Sequence, residues 1–388
     1  MTEANTAGAV VRRAKPQSRP VRPYFSSGPC AKPPGWNPDL LSQRALGRSH
    51  RGSIGKAVLA EAIERTHALL QLPSDYRLGI VPASDTGAME LAIWSLLGPR
   101  PVTMLAWESF GAGWVTDVAK QLKLEADIRT ADYGEISDLD GIDPASDVVF
   151  TWNGTTSGVR VPNGDWVSSD RTGLTICDAT SAAFAQDIDW AKIDVGTFSW
   201  QKALGGEAAH GMLVLSPRAV ERLEREPAPR PLPKIFRLTK GGKLIEGIFR
   251  GETINTPSML CVEDWLLALD WAERVGGLRS LIARANANAA ALDRLVAGAA
   301  WIEHLAKDAP IRSNTSVCLQ FTDRSDVEAN KSRQKAISTL LEQEDAAYDV
   351  AAYRDAPPGL RIWCGATVET ADVEALGPWL DWAWEATA

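Results

Sequence analysis

The chain has 388 residues, room for two domains, and its 45% hydrophobic and 23% charged shares are those of an ordinary globular protein. A formal net charge of −8 with no long basic stretch argues against a nucleic-acid binder. No apolar run approaches the roughly 20 residues that cross a bilayer, and Cys30, Cys177, Cys261, Cys318 and Cys364 form neither a C-x-x-C pair nor a disulfide pattern, which predicts a reducing, cytoplasmic setting and no metal site.

The first two dozen residues carry Arg12, Arg13, Lys15, Arg19 and Arg22 among Pro16, Pro20 and Pro23. A basic, proline-broken stretch without an apolar centre is no secretory signal, and residues 1–24 are expected to form a disordered tail. From Phe25 onward helices alternate with short apolar runs. Val58, Ala62 and Leu69 recur at helical spacing over 56–72, with Glu61 and Arg65 outward and Pro73 as the stop. A strand over 78–81, a helix over 88–97, a strand over 102–106 and a helix over 114–124 follow. The runs 148–152, 174–177, 195–198 and 212–215 read as further buried strands. This alternation predicts an α/β fold with a mainly parallel sheet and helices on both faces. After the proline-rich stretch 227–233 come long helices over 260–275 and 278–295, parted at Gly276-Gly277. Strands over 317–321 and 360–364, with helices over 331–342 and from Thr370, predict a smaller α+β unit. The expected division is a large domain over 25–280 and a small C-terminal domain over 281–388.

Lys202 carries the most chemistry. It follows the apolar run 193–198 through Ser199-Trp200-Gln201, and taking an ammonium out of water lowers its pKa toward that of a usable amine nucleophile. Upstream, the buried run 174–177 delivers Asp178 to the same rim of the sheet, where open α/β sheets bind ligands. Pyridoxal 5'-phosphate (PLP) needs such a pair: a lysine to form a Schiff base with its aldehyde, and an acid to keep its ring nitrogen protonated. Ser84-Asp85-Thr86-Gly87-Ala88-Met89-Glu90 lies between a strand and a helix, where free N–H groups bind an anion. Alternatively, Ser84 or Asp85 simply caps that helix. On the first reading Asp85 and Thr86 meet the cofactor phosphate, with the Asp85 side chain outward or only its main chain involved. Trp107 and Phe110 are both placed to stack on a pyridine ring, and either instead fills the core. Thr155, in the turn Asn153-Gly154-Thr155-Thr156, is placed to hydrogen-bond the ring's phenolic oxygen.

Asp178, then Ser199-Trp200-Gln201-Lys202, with Thr86-Gly87-Ala88-Met89-Glu90 upstream, resembles the class V aminotransferases of PLP fold type I. More narrowly the chain is similar to the phosphoserine aminotransferase family. That match rests on Phe25-Ser26-Ser27-Gly28-Pro29, Ser49-His50-Arg51-Gly52, Gln201-Lys202, Ile254-Asn255-Thr256-Pro257 and Gly359-Leu360-Arg361. It runs from Phe25 to the last residue. The resemblance implies that Lys202 bears the cofactor, Asp178 lies under the ring nitrogen, and Thr155 meets the phenolic oxygen. It further implies Asp85, Thr86 and Gln201 at the phosphate, and Phe110 in place of the family's stacking aromatic, usually a tryptophan, with Trp107 as the alternative. Asn255 and Thr256 are implied to reach the phosphate of a neighbouring subunit's cofactor, which makes the enzyme a homodimer.

The implied reaction moves an amino group between O-phospho-L-serine and 2-oxoglutarate, giving 3-phosphohydroxypyruvate and L-glutamate, with 4-phosphohydroxythreonine of pyridoxine biosynthesis as a further substrate to be tested. A phosphorylated amino acid has two anions to hold. Arg361, a planar fork that pairs a carboxylate, suits the α-carboxylate; His50 and Arg51 suit the phosphate. Without the resemblance, the His50-Arg51 pair reads as an ordinary exposed loop. Arg354 is a further phosphate candidate, although its spacing to Arg361 carries one residue more than the family pattern. The alternatives are an alanine– or serine–glyoxylate type of class V aminotransferase, which needs one anion site, and a cysteine desulfurase. The latter needs a mobile-loop cysteine, whereas Cys318 and Cys364 lie in or beside apolar runs.

Overall fold

Val148-Val149-Phe150 is apolar at consecutive positions, which a strand satisfies only when both of its faces are covered. The computed structural model, which describes residues 13–387, covers them with helices. In chain order the large sheet and its helices are α1 (Ser53–Leu69), β1 (Arg77–Pro82), α2 (Ser84–Leu96), β2 (Val102–Ala106), α3 (Ser109–Thr116) and β3 (Ala126–Thr130). They continue through β4 (Asp147–Thr151), β5 (Thr175–Asp178), β6 (Val195–Ser199), β7 (His210–Leu215) and α4 (Pro217–Arg225). The seven strands lie in the order β1-β7-β6-β5-β4-β2-β3. Neighbours from β6 to β3 are parallel; β7 runs antiparallel to both β1 and β6. The expected α/β fold with a mainly parallel sheet is what forms.

Register positions the site. Asp178 at the end of β5 pairs with Thr151 of β4 on one side and Thr197 of β6 on the other, so three polar side chains share one rim. β3 escaped the sequence reading because it is an edge strand whose Asp127 and Arg129 are polar and partly exposed. α2 begins four residues ahead of expectation, at Ser84, and α3 five residues ahead, at Ser109. In both cases the apolar pattern begins a turn later than the helix itself.

The chain then forms α5 (Met259–Arg274), α6 (Gly277–Ala297), β8 (Ile302–His304), β9 (Ser316–Phe321), α7 (Val327–Gln343), β10 (Gly359–Trp363) and α8 (Thr370–Ala386). β8, β9 and β10 make a small antiparallel sheet. α6 serves two cores: Leu281 and Ala285 pack with Trp265 and Leu269, whereas Ala291, Leu292 and Val296 pack with Trp363 and Trp379. Phe25 and Cys30, sequentially at the start of the large unit, belong to the second core.

The tail expected to be disordered over 1–24 divides. Residues 1–12 lie outside the described residues, while the remainder is docked on the C-terminal unit. Trp379 donates its indole N–H to the Ser18 carbonyl at 2.7 Å, and the Val21 N–H donates to Asp372 at 2.6 Å. Arg13 pairs with Asp381 at 2.6 Å and Glu385 at 2.9 Å. This basic stretch has carboxylate partners on the C-terminal unit, Asp381 and Glu385 for Arg13 and Glu344 for Lys15 and Arg19, which composition alone did not reveal. Among the described residues no helix is long and apolar enough to cross a membrane.

Candidate active site

Lys202 lies just beyond β6. Trp200, fully buried, stacks on Trp265 with ring centroids 5.3 Å apart and fixes the turn that aims the lysine inward. Lys202 is 7% exposed, and its Nζ donates to the Ser27 carbonyl and lies 5.9 Å from the Trp363 ring centroid. Burial holds its pKa below that of a free lysine, and the nearby Arg361 lowers it further. Gly28 makes room for it: a Cβ there would stand 2.7 Å from Nζ, and its φ of +151° belongs to glycine.

Across a cavity of ≈ 230 Å³, whose lining includes Phe110, Trp114, Thr155 and Gln201, Lys202 faces Asp178. Asp178 accepts from the Thr180 N–H at 3.0 Å and from the Trp114 indole N–H at 3.3 Å, so its carboxylate is oriented from two sides. Phe110 is 42% exposed and lines the cavity, whereas Trp107 is 2% exposed, bonded to the Val159 carbonyl and packed in the core. Of the two candidate stacking aromatics, only Phe110 faces the space. Thr155 also lines it, although its hydroxyl already donates to Ser181 at 2.9 Å.

The strand-to-helix turn before α2 is left-handed at two non-glycine residues, Ala83 (φ 67°) and Ser84 (φ 53°). Such backbone costs free energy and persists where surroundings over-determine it. Ala83 is the N-cap and supplies no side-chain bond, so Ser84 and Asp85 do not cap the helix. The N–H groups of the first turn are thus left for an anion, beside Thr86 and Gln201, which line the same cavity. Asp85 departs from expectation. Its side chain is buried rather than outward, with Asp178, Thr197 and Thr180 beside it. The residues around the cavity fit PLP: an amine for its aldehyde, a carboxylate for its ring nitrogen and uncapped helix donors for its phosphate.

The remaining predicted residues lie elsewhere. His50 is nearly buried with its Nε2 unpartnered, and burial followed by the Arg51 charge lowers its pKa. Arg51, Asn255 and Thr256 are exposed, and none of the four is among the residues lining the cavity. The two segments are linked by the Lys56–Glu252 ion pair at 2.6 Å. Arg361, on β10, packs over the Tyr353 ring at 5.6 Å with its Nε buried and unpartnered. Arg354 lies over the same ring at 5.3 Å but is exposed and 3.5 Å from Asp355. Neither arginine lines the cavity.

No family model matches the chain. Over 372 residues, covering 96% of this chain and 99% of the relative, it is 58% identical to the phosphoserine aminotransferase of Methanosarcina mazei. The chain belongs to the phosphoserine aminotransferase family. It is thereby a member of a PLP-dependent transaminase family, as the resemblance implied. Solved phosphoserine aminotransferases share its fold. That of Cytophaga hutchinsonii superposes with a TM-score of 0.80 at 22% identity, covering 92% of this chain and 98% of its own. The PLP-bound protein of Trichomonas vaginalis superposes with a TM-score of 0.72 at 18% identity, covering 92% and 99%.

Three residues in or beside this family member's cavity acquire their roles only in three dimensions. Trp114 was visible only as a helix residue, because its partner Asp178 lies 64 residues onward. Tyr353, between Phe110 at 6.0 Å and the two arginines, sits in an irregular loop. Gly28 was noted within a motif, but its contact with Lys202 is purely three-dimensional.

Proposed function

We infer that this phosphoserine aminotransferase works with Lys202 as the residue that bears PLP, transferring the amino group of O-phospho-L-serine to 2-oxoglutarate. The products are 3-phosphohydroxypyruvate and L-glutamate. One observation carries the reading: a buried amine of lowered pKa faces a doubly hydrogen-bonded carboxylate across one cavity, with an uncapped helix N-terminus at its end. When bound, PLP supplies an aldehyde for the amino group and a protonated ring that draws electron density from the substrate Cα. Asp178 holds the ring-nitrogen proton. Asp85 and Thr86 through their N–H groups, with Gln201, hold the phosphate. Phe110 covers one ring face and Thr155 meets the phenolic oxygen. Lys202, whose pKa burial lowers, would be the base that takes the proton from the substrate Cα and returns it.

Arg361 pairs the substrate α-carboxylate. His50 and Arg51 bind its phosphate, and Arg354 stands as an outer phosphate contact. None of His50, Arg51, Asn255 and Thr256 lines this chain's own cavity, which supports a homodimer in which Asn255 and Thr256 complete the neighbouring subunit's site. The reading includes a cytoplasmic location and the division into large and small domains. It leaves 4-phosphohydroxythreonine as a second substrate to be assayed. The test is glutamate formation from 2-oxoglutarate with phosphoserine, serine or alanine as donor. Phosphoserine should exceed the others by on the order of 10³ in kcat/KM, because two charge-assisted contacts of about 2 kcal/mol each are lost without the phosphate. A better rate with serine or alanine removes the phosphate-site assignment.

A further inference from the structure

Asp85 stands in the first turn of α2, 7% exposed, with its Oδ1 buried and without a hydrogen-bond partner. The groups facing it are Asp178 and Cys177 at the end of β5, Thr180 just beyond and Thr197 of β6, while Glu108 and Lys202 act on Asp178. The hydroxyls of Thr180 and Thr197 are themselves buried and unpartnered. No cation contacts Asp85, and Lys202, the nearest ammonium, is directed to the Ser27 carbonyl. Two carboxyl groups side by side in such a space do not both ionise. Asp178 accepts two N–H donors, from Thr180 and Trp114, whereas Asp85 has only the Thr180 and Thr197 hydroxyls beside it and no donor on Oδ1, and their pull is outweighed by burial and the charge of Asp178.

We propose that Asp85 is a positioning residue that retains its proton and through it donates a hydrogen bond to Asp178, so that a carboxyl–carboxylate pair stands at the cofactor's ring nitrogen. In agreement, burial and then the charge of Asp178 raise the Asp85 pKa well above the usual carboxylate range. The N-terminal dipole of α2 works the other way, favouring an ionised Asp85. A phosphate bound at the same N–H groups cancels that influence, since its own negative charge lies beside the turn. This inference rests on the PLP reading above. A ring-nitrogen proton, the Asp178 carboxylate and the Asp85 acid then sum to no net charge. A hydrogen bond from Asp85 also makes Asp178 a weaker base toward the ring, which tunes how firmly the ring holds its proton.

The experiment is infrared difference spectroscopy on the holoenzyme at neutral pH with ¹³C-labelled aspartate, which separates aspartic acids from the buried Glu108. It is joined to a pH titration of the bound cofactor's absorbance. Wild type should show the carbonyl stretch of a protonated aspartic acid, and Asp85→Asn should lack it. Asp85→Asn, which still donates a hydrogen bond, should titrate close to wild type, while Asp85→Ala should shift by about one pH unit or more. A wild-type spectrum without the band, a band that survives Asp85→Asn, or an unmoved Asp85→Ala titration overturns the proposal. Should either variant fail to fold, the wild-type band alone decides. A protein that takes up no PLP defeats the underlying reading instead, and the band in cofactor-free protein still reports whether the pair shares a proton.

Discussion

Gly28 and Lys202 are fitted to each other so closely that a single methyl group at position 28 would stand 2.7 Å from the lysine Nζ. The backbone there has φ +151°, a region essentially restricted to glycine, where a side chain costs about 1–3 kcal/mol. Gly28→Ala should therefore lower the melting temperature by several degrees and displace Lys202 from the Ser27 carbonyl. The expected outcome is a protein that folds but binds PLP at least about 10-fold more weakly, since 1.4 kcal/mol is tenfold. Cofactor absorbance at rising PLP, read beside a thermal melt, checks both halves. Full cofactor affinity in Gly28→Ala would show that the lysine has another resting position.

The indole of Trp114 offers a second handle on the same site. Its N–H reaches Asp178 at 3.3 Å, and the ring lines the cavity. Trp114→Phe keeps most of the apolar packing and removes the donor. A hydrogen bond to a charged group contributes about 1.5–3 kcal/mol, so cofactor affinity should fall roughly 10- to 100-fold. Equilibrium dialysis of PLP measures this directly. The loss should be smaller than that of Asp178→Ala, because the Thr180 N–H at 3.0 Å still orients the carboxylate.

The sheet and the placement of Lys202 and Asp178 at its rim were legible because they depend on local pattern. Runs such as 148–152 and 174–177 are mostly apolar; Asp178 follows one such run directly, and Lys202 follows another after Ser199-Trp200-Gln201. The direction of β7 was not legible, because an apolar strand reads alike whether parallel or antiparallel. The choice between Phe110 and Trp107 needed burial, as both are large aromatics in one short segment. The Asp85 side chain was misplaced for a similar reason. Its neighbours Asp178 and Thr197 come from strands about a hundred residues away, and sequence around α2 says nothing of them. Tail residues such as Arg13 looked unstructured because their partners, Asp381 and Glu385, are on the last helix.

Two buried groups should give this protein opposed pH dependences of stability. His210 accepts the Ser258 N–H at 3.1 Å, and burial lowers its pKa from 6.5 to about 4. Below its ordinary pKa the unfolded chain takes a proton that the native state refuses, so this contribution is lost as pH falls from about 6.5 to about 4. Glu108 is the reverse case. Burial raises it to about 7 against the pull of the Gly111 N–H and the Thr156 hydroxyl. Its contribution is complete below about 4.5 and is lost as pH rises through about 7. Between about 4.5 and 6.5 the two slopes offset. Glu108→Gln should unmask the histidine, with stability falling on acidification by up to about 1.4 kcal/mol per pH unit. His210→Gln should unmask the glutamate with the opposite sign. Urea melts across that window distinguish the slopes; identical flat profiles in both variants would contradict the assignment.

Tyr353 divides the labour of the two arginines that share its ring, and substrate pairs can read that division. Arg361 lies at 5.6 Å from the ring centroid with a buried, unpartnered Nε, so it is held in place with hydrogen-bonding capacity to spare. Arg354 lies at 5.3 Å but is exposed, and Asp355 stands 3.5 Å away. A lysine cannot reproduce a bidentate fork. Arg361→Lys should therefore reduce kcat/KM by roughly 30-fold, about 2 kcal/mol, for phosphoserine and glutamate alike, since both carry an α-carboxylate. Arg354→Ala should change phosphoserine kcat/KM by no more than about 3-fold, the scale of an exposed charge contact. His50→Ala should behave differently from both: phosphoserine should lose roughly 10- to 100-fold while the slow reaction with alanine is unchanged, because only the phosphate contact is removed. Equal losses for phosphoserine and alanine in His50→Ala would mean that this histidine supports the fold of the site rather than the phosphate, and the specificity would then have to reside in Arg51 and Arg354.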